Sequence, residues 1–183
     1  KALRPLFCAI IFAMKVAVIG AGEIGRAIES VLMAKAEVEV WDKDPAKLKT
    51  LMELKEALAG AEVVFLCVPS WAVGECLDSV LPHKGPNALI VSVSKGLEPE
   101  GGLTMAEFLK QKIHSDEFVI LGGPMIAEEL TQGKGGVGVA ASESQNSRKL
   151  MQELFSGTIL KVEASDDPFS VSLAGVLKNV YAL

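Results

Sequence analysis

The chain has 183 residues, half of them hydrophobic, and a formal net charge of −5. That length can fill one sizeable core, or one domain and the beginning of a second. The mild acidity and the lack of a basic stripe argue against nucleic-acid binding, and no apolar run reaches the roughly 18 residues that span a bilayer. Three cysteines without C-x-x-C spacing favour reduced thiols in a cytoplasmic protein, and we expect no metal site.

Residues 1–13 (KALRPLFCAIIFA) are mostly apolar and begin with Lys rather than Met. Met14 stands directly before the first predicted strand. We expect Met14 to be the natural start and residues 1–13 to be a reading-frame extension or a fragment boundary. The core of a signal peptide and a genuine additional N-terminal element are the alternatives.

The first predicted strand ends at Ile19, and Gly20-Ala21-Gly22-Glu23-Ile24-Gly25 leads from it into a helix over residues 26–35. A strand, G-x-G-x-x-G and a helix form the dinucleotide-binding turn. Gly20 would make the tight turn, Gly22 would let the backbone approach a pyrophosphate, and Gly25 would let helix and strand pack closely. The phosphates would then lie at the helix N-terminus, where free N–H groups favour negative charge.

Asp42 follows the second predicted strand, residues 37–41, and lies 17 residues after Gly25. This is near the roughly 20-residue offset of an acid that hydrogen-bonds the adenosine ribose. A carboxylate there favours NAD over NADP because it repels a 2′-phosphate, although the neighbouring Lys43 could accept that phosphate. The alternative is a turn or helix-capping role for Asp42 before Pro45, which Asp44 could also fill.

Strands and helices alternate through the rest of the chain. We predict strands at residues 62–68, 88–93, 118–121, 136–141 and 158–162, and helices at residues 45–58, 72–81, 103–112 and 143–155. This order is typical of an α/β protein with an open, doubly wound parallel sheet of the Rossmann type.

Pro69-Ser70, Ser94-Lys95-Gly96 and Gly123-Pro124 all come just after predicted strands. In such sheets ligands bind at the carboxyl ends of the strands. We therefore expect Pro69 to contact a cofactor and Lys95 to contact a ligand, the alternative for Lys95 being an ordinary solvated loop lysine.

Residues 169–183 carry one charged side chain, Lys178. On a helix, apolar residues form one stripe, and Lys178 and Asn179 point away from it beside small residues. This pattern predicts a helix buried on most sides with the Lys178 ammonium in a cleft. Desolvation would lower its pKa from ~10.4 toward about 7–8, which suits an acid or base. The alternative is a lysine that reaches water from a core helix.

Taken in order, these segments resemble NAD(P)-dependent glycerol-3-phosphate dehydrogenase over residues 15–183. The resemblance is carried by GAGEIG, CVPS (67–70), SKGLE (94–98), GGPMIAEEL (122–130) and GVLKNVYAL (175–183). It implies interconversion of dihydroxyacetone phosphate and sn-glycerol 3-phosphate, a small phosphorylated substrate, with NAD or NADP carrying the hydride. It also implies a cytoplasmic enzyme, and it leaves a homodimer open.

The resemblance also implies roles for single residues. Lys178 matches the catalytic lysine that exchanges a proton with the substrate oxygen, and Lys95 a lysine that contacts both substrate and cofactor. Asn179 would orient the substrate, and Gly123 would contact it through the backbone. Further cofactor contacts are implied at Glu23, Ile24 and Ala127.

Two features depart from the family pattern. Met125 stands where a small polar residue usually hydrogen-bonds substrate, and a thioether is a poor substitute. The family continues beyond the length of this chain as a helical domain that grips the substrate phosphate. We therefore expect an extension (1–13), a cofactor domain (14–165) and the start of a truncated helical domain (166–183), weakly active alone. The alternatives are a related reductase for another small carbonyl, or a non-catalytic dinucleotide-binding domain whose last helix docks a partner.

Overall fold

The computed structural model describes residues 14–181, with side chains to residue 178. The predictions for residues 1–13 lie outside the described residues. In the described part, every helix falls short of the length and apolar character that crossing a membrane requires. The expected cytoplasmic location stays a prediction.

One seven-stranded sheet organises the chain, with strand order β2-β1-β3-β4-β5-β6-β7. The strands are β1 (Lys15–Ile19), β2 (Glu37–Trp41), β3 (Val63–Leu66), β4 (Leu89–Ser92), β5 (Phe118–Gly122), β6 (Gly136–Ala141) and β7 (Leu160–Ser165). Strands β3, β4 and β5 are buried at every position, which explains their continuous apolar or small residues.

Helices cover both faces of the sheet and enclose two apolar layers. They are α1 (Glu23–Leu32), α2 (Leu54–Leu58), α3 (Val73–Val80), α4 (Met105–Lys112), α5 (Ala127–Thr131), α6 (Gln145–Phe155) and α7 (Pro168–Tyr181), with 3₁₀ turns at Pro45–Lys47 and Ser70–Ala72. Helices α1 and α6 pack on one face, and α2, α3 and α4 on the other. The predicted doubly wound α/β fold is confirmed.

The expectation of a wholly parallel sheet is wrong at one pair, because β6 runs antiparallel to β5. The link between these strands contains α5, a helix of five residues that the sequence analysis did not predict. This helix packs against α1. The link returns the chain beside β5 in the opposite direction and makes no crossover.

The prediction of one helix over residues 45–58 is also wrong, because the structure has two short elements there. The Asp44 carboxylate accepts from the Ala46 N–H at 3.0 Å and starts a single 3₁₀ turn. Leu48 is already extended. A new helix, α2, begins only after Glu53, whose N–H donates to the Glu56 carboxylate at 2.9 Å. Each cap starts its own short element, and the extended Leu48 separates the two.

Helix α7 lies across the carboxyl edge of the sheet, against β5 and α4. A Cβ at Gly122 would come within 2.7 Å of Val171, so the missing side chain in β5 allows this close approach. Ser172 is buried, and its hydroxyl accepts from the Ala106 N–H at 3.4 Å. Among residues 168–178, however, only Pro168 and Ser172 are buried. The prediction that this helix is covered on most sides is therefore wrong.

Candidate functional site

Three glycines of the turn after β1 have three different surroundings. Gly20 has φ +109°, and a Cβ there would overlap the Cys67 carbonyl oxygen. A Cβ on Gly25 would overlap the Gly20 carbonyl oxygen. A Cβ on Gly22 would meet nothing within 4 Å. Gly20 and Gly25 are thus required by the fold, whereas Gly22 faces open space that a ligand could occupy.

That open space lies at the N-terminus of α1. Gly22 is the N-cap and supplies no capping side chain, and the first helical hydrogen bond runs from the Arg26 N–H to the Gly22 carbonyl at 3.0 Å. The amides before Arg26 are those that a helix leaves for outside acceptors. Ile24 packs its side chain on the core, which leaves its backbone for a ligand, and Glu23 is exposed. A pyrophosphate fits this arrangement.

Asp42 holds the turn itself. Its Oδ2 accepts from the Ala21 N–H at 2.8 Å, and its Oδ1 accepts from the Asp44 N–H at 2.9 Å. From sequence, a ribose contact and a turn role were alternatives for Asp42, but one carboxylate with several lone pairs can serve both. The Asp-x-Asp spacing is the signal from which the second contact could have been anticipated.

The cations near Asp42 each face an acid. Lys43 Nζ lies 3.6 Å from Glu75 of α3, and Lys47 Nζ lies 3.8 Å from Asp42. Lys43 and Glu75 are both well exposed, so their pairing contributes little stability. It nevertheless directs the Lys43 ammonium toward α3.

A cleft of about 380 Å³ joins these features. Its walls combine the glycine turn, the end of β2, the loop after β3 and one side of α3. The lining residues are Ile19, Gly20, Gly22, Trp41, Asp42, Lys43, Lys47, Leu54, Cys67, Val68, Pro69, Trp71, Ala72, Glu75, Cys76, Ser79 and Val80. Pro69 lines this cleft, and its contact with a cofactor stays a prediction.

The loop that carries Lys95 is attached to the loop after β3. The Ser94 hydroxyl donates to the Val68 carbonyl at 2.5 Å. Gly96 has φ +146°, and a Cβ there would come within 2.5 Å of the Ser70 hydroxyl oxygen. These contacts hold Lys95 beside the same sheet edge as the cleft.

Lys95 is half-buried between β5 and α7. Its Nζ donates weakly to the Gly123 carbonyl at 3.5 Å, and a Cβ on Gly175 would lie 3.6 Å from its Cγ. Burial, and then the positive charge of Lys178, lower the pKa of the Lys95 ammonium. Two lysines predicted from sequence are therefore close enough to repel each other, and an anion between them would relieve that repulsion.

Lys178 itself is exposed. The expectation that its ammonium lies desolvated in a cleft is therefore wrong. The half-buried lysine of the pair is instead Lys95. The Asn179 side chain lies outside the described residues.

The prediction that Met125 contacts substrate is also wrong. Its side chain is 4% exposed and belongs to the core, where a Cβ on Gly138 would lie 3.3 Å from its sulfur. A substrate cannot reach a thioether in that position. Gly123, with φ +108°, is partly accessible and keeps its carbonyl toward Lys95. Ala127 begins α5 and packs on the core beside α1.

Lys178→Met should raise the pKa of Lys95 because it removes the like charge. The pKa should remain below that of an ordinary lysine, since burial is the larger cause. NMR titration of labelled lysine side chains measures this shift, and Lys149→Met on α6 is the control. If the pKa of Lys95 is unchanged in Lys178→Met, or changes equally in Lys149→Met, the two amines are not close to each other.

The chain is similar in sequence and fold to known proteins. Residues 43–148 match the family model described as NAD-dependent glycerol-3-phosphate dehydrogenase N-terminus. Glycerol-3-phosphate dehydrogenase [NAD(P)+] of Teredinibacter turnerae is 31% identical, over 93% of this chain and 57% of its own length. The enzyme of that name from Bacillus subtilis is also 31% identical, over 92% of this chain and 56% of its own. The chain thus spans little more than half the length of these relatives.

A crystal structure of glycerol-3-phosphate dehydrogenase from Coxiella burnetii superposes with a TM-score of 0.81 at 25% identity, covering 93% of this chain and 59% of that one. The Plasmodium falciparum glycerol-3-phosphate dehydrogenase structure gives 0.79 at 17% identity, over 91% of this chain and 56% of that one, which shows the shared fold alone. The family model matches more than half of the residues here. The chain therefore belongs to the NAD-dependent glycerol-3-phosphate dehydrogenase family, in which it matches the N-terminal part.

Proposed function

We propose that this chain is the cofactor-binding part of an oxidoreductase that transfers a hydride between NAD(P)(H) and dihydroxyacetone phosphate or sn-glycerol 3-phosphate. The observation that carries the proposal is the open space over Gly22, at a helix N-terminus, in the same cleft as Asp42. Lys95, Gly123 and Lys178 follow along the same sheet edge and supply cationic and polar groups for a phosphorylated substrate.

When bound, the nicotinamide supplies or accepts the hydride. The α1 amides would hold the pyrophosphate, and Asp42 would accept a hydrogen bond from the ribose while it holds the turn. In the oxidative direction, the Lys178 side chain accepts the proton of the secondary hydroxyl as the hydride leaves the same carbon. In reverse, the ammonium protonates the carbonyl oxygen. Lys95 neutralises substrate charge beside the Gly123 carbonyl and orients the reacting carbon.

NAD(H) is the preferred cofactor in this proposal. A 2′-phosphate would meet the Asp42 carboxylate, which is fixed by two backbone N–H groups and cannot swing away without releasing the turn. The neighbouring Lys43 could offset that repulsion, but it pairs with Glu75 on the opposite wall of the cleft. NADP remains a weaker alternative ligand.

The substrate is proposed from the names of the relatives, and this chain covers just over half of their length. The test therefore uses a chimaera in which the uncovered segment of the Coxiella burnetii enzyme follows Leu183. We expect NADH oxidation that depends on dihydroxyacetone phosphate, and a large loss of kcat in Lys178→Ala without loss of NADH binding. The 183-residue chain alone should bind NADH and turn over slowly, because it has fewer groups to position the substrate.

A preference for another small carbonyl in the chimaera would favour the related-reductase alternative. The structural reason for that alternative is weak, because the Met125 side chain lies in the core. A folded chimaera that binds NADH and reduces none of these carbonyls would favour the non-catalytic alternative. Loss of NADH binding in Lys178→Ala would mean that this lysine serves the cofactor rather than the substrate.

A further inference from the structure

The chain has two tryptophans, and both line the cleft described above. Trp41 ends β2 and packs partly on the core, as expected for a large aromatic side chain. Trp71 differs, because it is 66% exposed. A tryptophan left this exposed gains little from burial in the folded chain, so its position is explained better by a ligand than by packing.

The backbone around Trp71 is held in place. Trp71 is the middle residue of the Ser70–Ala72 3₁₀ turn, in which the Ala72 N–H donates to the Pro69 carbonyl at 2.9 Å. On one side, Ser70 packs against Gly96, and on the other Val73 is fully buried. The exposed indole thus projects from a fixed turn, so presenting it to a ligand requires little ordering.

The residues that line this cleft indicate which half of a dinucleotide would reach Trp71. Asp42, at the predicted ribose position, lines the same cleft, whereas Lys95 and Gly123 do not. The glycine turn lies between these two regions because β1 stands between β2 and β3 in the sheet. With the pyrophosphate over Gly22 and the adenosine ribose at Asp42, the base of that nucleoside would reach the part of the cleft beside Trp71.

The rest of that part of the cleft suits a flat aromatic ring. Leu54, Val68 and Cys76 are partly buried against the core and give the cleft an apolar wall. A purine between this wall and an indole would bury both of its faces. Stacking on an aromatic side chain accepts any base, so the contact would contribute affinity more than selectivity among bases.

We propose that Trp71 is a cofactor-positioning residue that stacks on the adenine ring of the bound dinucleotide. This inference rests on the proposed function and adds a residue that neither the sequence analysis nor the resemblance assigned. It makes affinity for the adenosine half of the cofactor depend on a side chain outside the glycine turn.

The experiment compares the 183-residue chain with Trp71→Ala, Trp71→Phe and a control, Phe169→Ala, which removes an exposed aromatic side chain from α7. ADP-ribose, AMP and nicotinamide mononucleotide are titrated by calorimetry. We expect Trp71→Ala to lower the affinity for ADP-ribose and for AMP by about 10-fold or more, which is the usual size of base–aromatic stacking. Trp71→Phe should remain within about 3-fold of the parent, since its ring still stacks. Nicotinamide mononucleotide and the control should show no change.

A second readout uses fluorescence. In the Trp41→Phe background Trp71 is the remaining tryptophan, and we expect AMP to quench its emission. Parent-like AMP affinity in Trp71→Ala, with ADP-ribose binding retained, overturns this inference and leaves the proposed function standing. A folded parent that binds no ADP-ribose overturns both. An equal loss in Phe169→Ala would show a general effect on stability and would also overturn the inference.

Discussion

Gly22→Ala should leave the chain folded and strongly weaken its affinity for a dinucleotide. The Gly22 backbone has φ −74° and ψ −172°, which any residue adopts, and the added methyl would contact nothing in the protein. That methyl would instead fill the space where phosphates approach the α1 amides. We expect the affinity for ADP-ribose to fall on the order of 100-fold, equal to about 3 kcal/mol.

Calorimetric titration with ADP-ribose measures the loss, and thermal unfolding checks that the fold persists. Gly74→Ala is the matched control, because it adds the same methyl within α3, 3.5 Å from Phe108 in ordinary contact. The control should bind like the parent. Unchanged affinity in Gly22→Ala would show that the phosphates lie elsewhere.

Gly25→Ala should have the opposite effect and destabilise the fold. A Cβ at this position would overlap the carbonyl oxygen of Gly20, which is backbone and is held in the turn. Relief requires α1 to move away from β1, although Ala27 and Ile28 of that helix are fully buried. We expect a loss of about 3 kcal/mol or more in the free energy of unfolding, at the upper end for overpacking.

Thermal or urea unfolding measures this loss. At roughly 2–4 °C per kcal/mol for a chain of this size, Tm should fall by about 6–12 °C. Gly22→Ala, three residues away, is the comparison, and its Tm should stay within about 2 °C of the parent. Equal Tm values for the two variants would contradict the separate roles of these glycines.

Much of the site was predictable because its sequence signals are local. The roles of Gly20, Gly22 and Gly25 follow from a spacing that constrains only a few atoms, and each glycine has the surroundings that its predicted role requires. The meeting of Lys95 with Gly123 followed from topology, because the carboxyl ends of neighbouring parallel strands share one edge.

The parts that were not predicted depend on long-range packing. The exposure of Lys178 depends on what covers α7, and helical periodicity indicates which residues share a face but not what lies opposite. The burial of Met125 depends on its contact with Gly138 of β6, a strand whose antiparallel direction no local pattern indicated. For Asp42 a turn role was already an alternative from sequence, but its hydrogen bond with the Ala21 N–H depends on the approach of two loops 21 residues apart.

The most direct measurement is a calorimetric titration of the 183-residue chain with NADH, with NADPH and Lys178→Ala measured alongside. We expect saturable one-to-one binding of NADH, equal affinity in Lys178→Ala, and weaker binding of NADPH because Asp42 repels its 2′-phosphate. A folded chain that shows no saturable binding of NADH would contradict the assignment of the glycine-turn cleft as a dinucleotide site.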